Sequence, residues 1–90
     1  ERAAIRTGHD EPLRWARIAN ESETGVAILI REQAPPEGSS VRLYVRRSPE
    51  ARRAAVTRIQ PNGSGSTIVG CRWIGPAEWR ALRHQGPNAT

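Results

Sequence analysis

Over most of the chain, apolar and polar residues alternate with a period of two, the spacing of a strand with one face buried. Arg2 to Arg6 (RAAIR) reads as a short first strand. Thr7 to Pro12 contains no apolar residue and carries Gly and Pro, so it is a loop. Leu13 to Ala19 (LRWARIA) alternates again, with Leu13 and Trp15 on one face and Arg14, Ala16 and Ile18 on the other. It runs directly into Asn20-Glu21-Ser22-Glu23-Thr24-Gly25, a polar stretch read as a tight connection between strands.

Val26 to Arg31 (VAILIR) is β-branched and apolar on both faces, the clearest strand of the chain. The two prolines of Ala34 to Ser39 cannot donate to a ladder and mark a loop. Val41 to Arg46 (VRLYVR) points Val41, Leu43 and Val45 inward and Arg42, Tyr44 and Arg46 outward, and Ser48-Pro49-Glu50 breaks it. Arg53 to Gln60 and Thr67 to Ile74 read as the last strands, joined by the turn-rich Pro61 to Ser66, with Val69, Cys71 and Trp73 sharing a face. After Gly75 the spacing lengthens. Pro76 suits a first helical turn, and Trp79 and Leu82 lie three apart, so Pro76 to Arg83 is a short helix. Six closely spaced strands and one terminal helix predict an all-β fold, a small antiparallel barrel or sandwich that protects its edges. Residues 1–84 form a single domain in this reading, and 85–90 a flexible tail.

Composition narrows the core. The 90 residues are 37% hydrophobic, with no Phe and no Met. Val, Ile, Leu and Ala must therefore fill the interior, and the large residues expected to complete it are Trp15, Trp73, Trp79 and Tyr44, although strand phase turns Tyr44 outward. The lone Cys71 excludes an intrachain disulfide and a multi-cysteine zinc site and suits a reducing compartment, so a cytoplasmic location is expected. No apolar run reaches membrane-spanning length and no signal peptide is visible. Because the chain starts at Glu1 without Met, it is expected to be a processed product or an excised domain of a larger parent chain. The net charge is +5 and all 14 basic residues are arginine. The planar guanidinium fork suits phosphates, carboxylates and base edges, so an anion-binding face competes with a simply solvated surface.

No catalytic set assembles from these letters, and the domain is expected not to be an enzyme. His9 and His84 have no ligand-like spacing and read as solvated. Cys71 alternates with Val69 and Trp73 and reads as a buried, inert thiol. The acids are scattered, with no pair on one strand face for acid–base work. Asn20-Glu21-Ser22, Asn62-Gly63-Ser64 and Asn88-Ala89-Thr90 match the glycosylation sequon by chance. No metal or cofactor is implied.

The stretch Asn20-x-Ser22-x-x-Gly25 resembles the (D/N)xSxxG motif of the PilZ domain, the bacterial receptor module for cyclic di-GMP. The order of elements is similar too: VAILI after the glycine, a Pro/Gly loop, VRLYVR, VTRI, a Gly-rich hairpin, a closing IVGCRW strand and a Glu78-Trp79-x-x-Leu82 helix. The resemblance covers roughly Leu13 to Leu82 and implies a six-stranded antiparallel β-barrel with a C-terminal helix, as the strand count does. It implies a cyclic di-GMP-binding effector domain, in which Asn20 and Ser22 read a guanine edge and Gly25 sets the turn. The family also supplies an RxxxR pair for phosphates, and Arg2-Ala3-Ala4-Ile5-Arg6 has those letters. In the family, however, the pair precedes the first strand; here it reads as that strand. The phosphate-holding pair therefore lies upstream of Glu1 or is absent, with Arg2 and Arg6 as the candidates within the chain. Glu21 also departs from the family, where an aliphatic residue is usual.

Two other classes remain at this point. A degenerate PilZ-like domain would bind a partner protein and no nucleotide. An Arg-rich barrel could bind nucleic acid, but with only Tyr44 on an exposed strand face no DNA or RNA partner is expected. The outward arginines Arg14, Arg17, Arg58 and Arg72 are left unassigned between ligand and solvent.

Overall fold

The computed structural model describes residues 2–7, 13–31, 33–45, 50–63 and 65–85, the last three by their backbone alone. All but Thr7 of the expected loop Thr7 to Pro12 (His9 with it), Arg46 at the end of its expected strand, Ser48 and Pro49 of the expected break, the His84 side chain and the tail from Gly86 lie outside the described residues. Six strands follow one another: β1 (Arg2–Arg6), β2 (Arg14–Glu21), β3 (Gly25–Ile30), β4 (Ser40–Val45), β5 (Arg52–Pro61) and β6 (Thr67–Trp73). One helix, α1 (Pro76–Gln85), is the last element of the described residues and reaches one residue into the expected tail. The strands close into an antiparallel barrel in the order β1-β2-β3-β6-β5-β4, with β4 returning to β1.

The alternation explains the closure. Ala3, Ile5, Ala16, Val26, Ile28, Ile30, Val41, Leu43, Ala54, Val56, Val69 and Cys71 all point inward and form one core cluster. Burying a Val, Leu or Ile side chain contributes about 1.5–3 kcal/mol, and a barrel this narrow is filled by its own side chains. Gly38 makes the tight turn before β4 with φ 86°, and the Ser39 amide donates to Pro36 O at 3.2 Å. Asn62 begins the β5–β6 connection, where its amide donates to Ser66 O at 3.0 Å.

Of the tryptophans expected in the core, one is corrected and two are placed more closely. Trp15 is not in the core; it is 74% exposed, and Leu13 beside it on the same face is 49% exposed. Periodicity assigns the two faces of a strand but not which one turns inward, and here the small Ala16 fits the narrow interior. Trp79 is buried, but outside the barrel, where its ring lies 5.3 Å from the Arg42 guanidinium and 5.8 Å from that of Arg53. Trp73 packs only partly against the core, at the barrel mouth. No helix of the described residues is long and apolar enough to cross a membrane.

Candidate functional site

Two β-bulges organise one patch of the outer barrel wall. On β2 the register slips between Ile18 and Asn20. Without the extra residue, Asn20 would share the inward phase of Ala16 and Ile18; with it, Asn20 lies opposite Ala27 and is exposed. On β5 the same happens between Val56 and Arg58. Val56 stays inward opposite Cys71, while Arg58 turns outward opposite Gly70. Ala27 and Gly70 are themselves paired between β3 and β6. One row across four strands thus reads Asn20, Ala27, Gly70, Arg58: a polar amide and a guanidinium at the ends, and two of the smallest residues between them.

The small floor leaves an open depression of about 320 Å³, lined among others by Asn20, Ser22, Thr24, Gly25, Thr57 and Arg58. Gly70 is part of what keeps it open. A Cβ there would meet the Arg58 Cβ at 3.6 Å, ordinary contact, so a side chain fits the fold but occupies the depression. The Asn20 side chain makes no hydrogen bond to another described residue, and Arg58 has no ion-pair partner among them.

The turn beside Asn20 is held rigidly. Ser22 Oγ accepts from the Thr24 and Gly25 amides, each at 3.3 Å, and the Ser22 amide donates to Gly25 O at 2.9 Å. The Ser22 hydroxyl is therefore the turn's own internal acceptor. Trp73 ties the turn to the end of β6: its Nε1 donates to Ser22 O at 3.0 Å and its amide to Thr24 O at 2.9 Å. Arg52 stacks over the other face of this assembly, 3.7 Å from the Trp73 ring centroid and 3.5 Å from the Glu21 carboxylate. That ion pair gives Glu21 a structural use at a position where an aliphatic residue was expected.

A glycine at position 25 could serve positive φ or the close approach of another group, and the structure selects the second. The Gly25 φ is not positive, unlike those of Gly38, Gly63 and Gly65. What requires glycine is close approach, since a Cβ there would lie 2.2 Å from the Cys71 carbonyl oxygen.

The RxxxR letters do not converge on the depression. Arg2 lies opposite Arg17 on β2, one row from the patch, whereas Arg6 lies opposite Arg42 at the far end of β1. Of the four unassigned arginines, Arg72 is committed to Glu78 of the first helical turn through two hydrogen bonds of 2.9 and 2.5 Å. That contact raises the Arg72 pKa and lowers the Glu78 pKa. Arg14 donates to the Gln33 carbonyl. Arg17 and Arg58 remain available. Arg58 was already among the outward arginines read from the sequence; what leaves no mark in the alternation is the bulge that sets it in one row with Asn20. Cys71 is buried behind the depression, and desolvation raises its pKa from 9.0 to about 11.

Comparison with known proteins returned no match to a family model, to a curated protein or to a solved structure.

Proposed function

We propose that the depression is a nucleotide site of the PilZ type and that the domain is a cyclic di-GMP receptor module. The observation that carries this reading is the pair of bulges, which turn Asn20 and Arg58 outward at the two ends of a floor made of Ala27 and Gly70. An amide offers both a donor and an acceptor to a guanine edge, and a guanidinium offers a bidentate fork to a phosphate. Ser22 and Gly25 line the same depression and fix the shape of the turn that follows Asn20. Arg2 and Arg6 have no part in the depression, so the phosphate-binding role passes to Arg58 within this chain.

Calorimetric titration with cyclic di-GMP tests the reading. Arg58→Gln removes a charge-assisted contact worth about 1.5–3 kcal/mol, so affinity should fall roughly 10- to 150-fold. Asn20→Ala should weaken binding as well. Gly70→Val should block it by filling the floor while leaving the thermal transition in place. No heat from the wild-type domain at high-micromolar ligand would sink the proposal.

A second reading is a PilZ-like domain that engages a protein and no nucleotide. It is favoured by the internal use of the Ser22 hydroxyl and by the position of Arg6 at the opposite barrel end. The same titration separates the two.

A further inference from the structure

The outer face of β4, β1 and the first half of β2 carries a different constellation. Ala4 in the middle of β1 is paired with Tyr44 on one side and Trp15 on the other. All three lie in the outward phase of their strands, between the inward residues Ala3, Ile5, Ala16, Leu43 and Val45. Trp15 is 74% exposed and Tyr44 half-buried. The small Ala4 separates the two aromatic positions by two strand spacings, about 10 Å.

Arginines border this aromatic row on both sides. One flank is Arg2 opposite Arg17, and the other is Arg6 opposite Arg42. Like charges directly opposite on neighbouring strands repel, and two such pairs face each other across one row of rings. No carboxylate lies among the described residues of β1, of β4 or of Arg14–Arg17 on β2. Arg42 is drawn toward the Trp79 ring, and the buried Nε of Arg6 makes no hydrogen bond among the described residues. Among these residues the face thus combines clustered arginines, an orphaned donor, the exposed Trp15 ring and the half-buried Tyr44.

We infer that the outer face of β4–β1–β2 is a binding platform for single-stranded nucleic acid, with bases stacked on Trp15 and Tyr44 and the phosphate backbone held by the arginines on either flank. Rings standing on a flat strand face offer stacking to unstacked bases, which a duplex keeps covered. The four arginines provide the electrostatic half of such a site. This site is separate from the depression and does not depend on the nucleotide reading. It also reverses the expectation of no DNA or RNA partner, which rested on assigning Trp15 to the core.

Fluorescence anisotropy with a labelled single-stranded oligothymidine tests the inference, together with quenching of tryptophan emission. Binding should weaken steeply with salt, with a log–log slope of about −3 for four neutralised phosphates. Trp15→Ala should reduce affinity about 5- to 150-fold and abolish the quenching, with an unchanged melting curve because Trp15 is exposed. Arg2→Gln should flatten the slope by about 0.7, whereas Arg80→Gln, which removes the same charge from the exposed helix, should leave affinity and slope near wild type. The inference is overturned if Trp15→Ala binds as tightly as wild type, or if the matching duplex binds equally well. It is also overturned if polyglutamate or anionic lipid vesicles displace the oligonucleotide at equal charge concentration, which would assign the face to a protein or a membrane surface.

Discussion

Replacing Gly25 by alanine would set a Cβ 2.2 Å from the Cys71 carbonyl oxygen, well inside the 3.0 Å below which such contacts are essentially not found. The obstacle is backbone rather than the tip of a side chain, so β3 must move away from β6 at the point where the turn is also tied to Trp73. Overpacking of this kind costs about 1–3 kcal/mol, and straining one ladder hydrogen bond adds about 1 kcal/mol. The expected loss is therefore about 2–4 kcal/mol, a drop in Tm of roughly 8–30 °C for a domain of this size. Thermal and urea unfolding followed by circular dichroism measure it. A second substitution identifies the cause. Asparagine tolerates the left-handed region, so Gly→Asn should be mild where positive φ is the requirement and severe where close approach is. Gly63, with φ 79° and open space around its Cβ position, should accept Asn at little cost, and Gly25 should not. If Gly25→Ala unfolded within about 0.5 kcal/mol of wild type, a span typical of surface changes, the close-approach argument would fail.

Other consequences can be checked more briefly. Arg52→Gln removes both the stack on Trp73 and the pair with Glu21, costing about 0.5–1 kcal/mol and shifting tryptophan emission; unchanged emission would contradict the stacked geometry. The Cys71 pKa is raised by burial, so its contribution to stability is whole below pH 9.0 and is lost as pH rises toward and through about 11. Urea midpoints of wild type should therefore fall more steeply over that window than those of Cys71→Val, and alkylation of the native thiol near neutral pH should be slow. Glu78 is shifted the other way by the hydrogen bond from Arg72, so its contribution is present above 4.5 and lost as pH falls below that value. In acid, Trp79 emission should report loosening of α1 in wild type, while Glu78→Gln should already be loosened and change little.

The succession of six strands and the terminal helix was legible because short apolar or alternating runs are cut by Pro, Gly and Ser, and in β4 the alternation of Val41, Leu43 and Val45 with Arg42 and Tyr44 also gave the buried phase. The candidate site was legible in part. The polar turn was recognisable from Ser22 and Gly25, but Asn20 and Glu21, expected within it, belong to the end of β2. What could not be read were departures from strict alternation. A bulge shifts phase by a single residue and needs no special amino acid to do so, so nothing in RIANE or VTRI announces that Asn20 and Arg58 share a row. The requirement at Gly25 comes from a carbonyl 46 positions along the chain, in β6, which local turn rules cannot see. Trp15 was misplaced for a related reason. An aromatic residue in an alternating strand is usually the buried partner, but a barrel this narrow selects alanine at position 16 and leaves the indole outside.

Closure of the barrel has one further consequence. Every strand has a hydrogen-bonded neighbour on both sides over part of its length, including β1 against β4. Among the described residues the exceptions are the ends that outrun a neighbour, such as Ile18–Glu21 of β2 beyond β1 and Thr57–Pro61 of β5 beyond β4. Recognition by β-augmentation, in which a peptide joins a sheet through its main chain, is confined to such overhangs. Over the rest of the wall a ligand can be read by side chains alone.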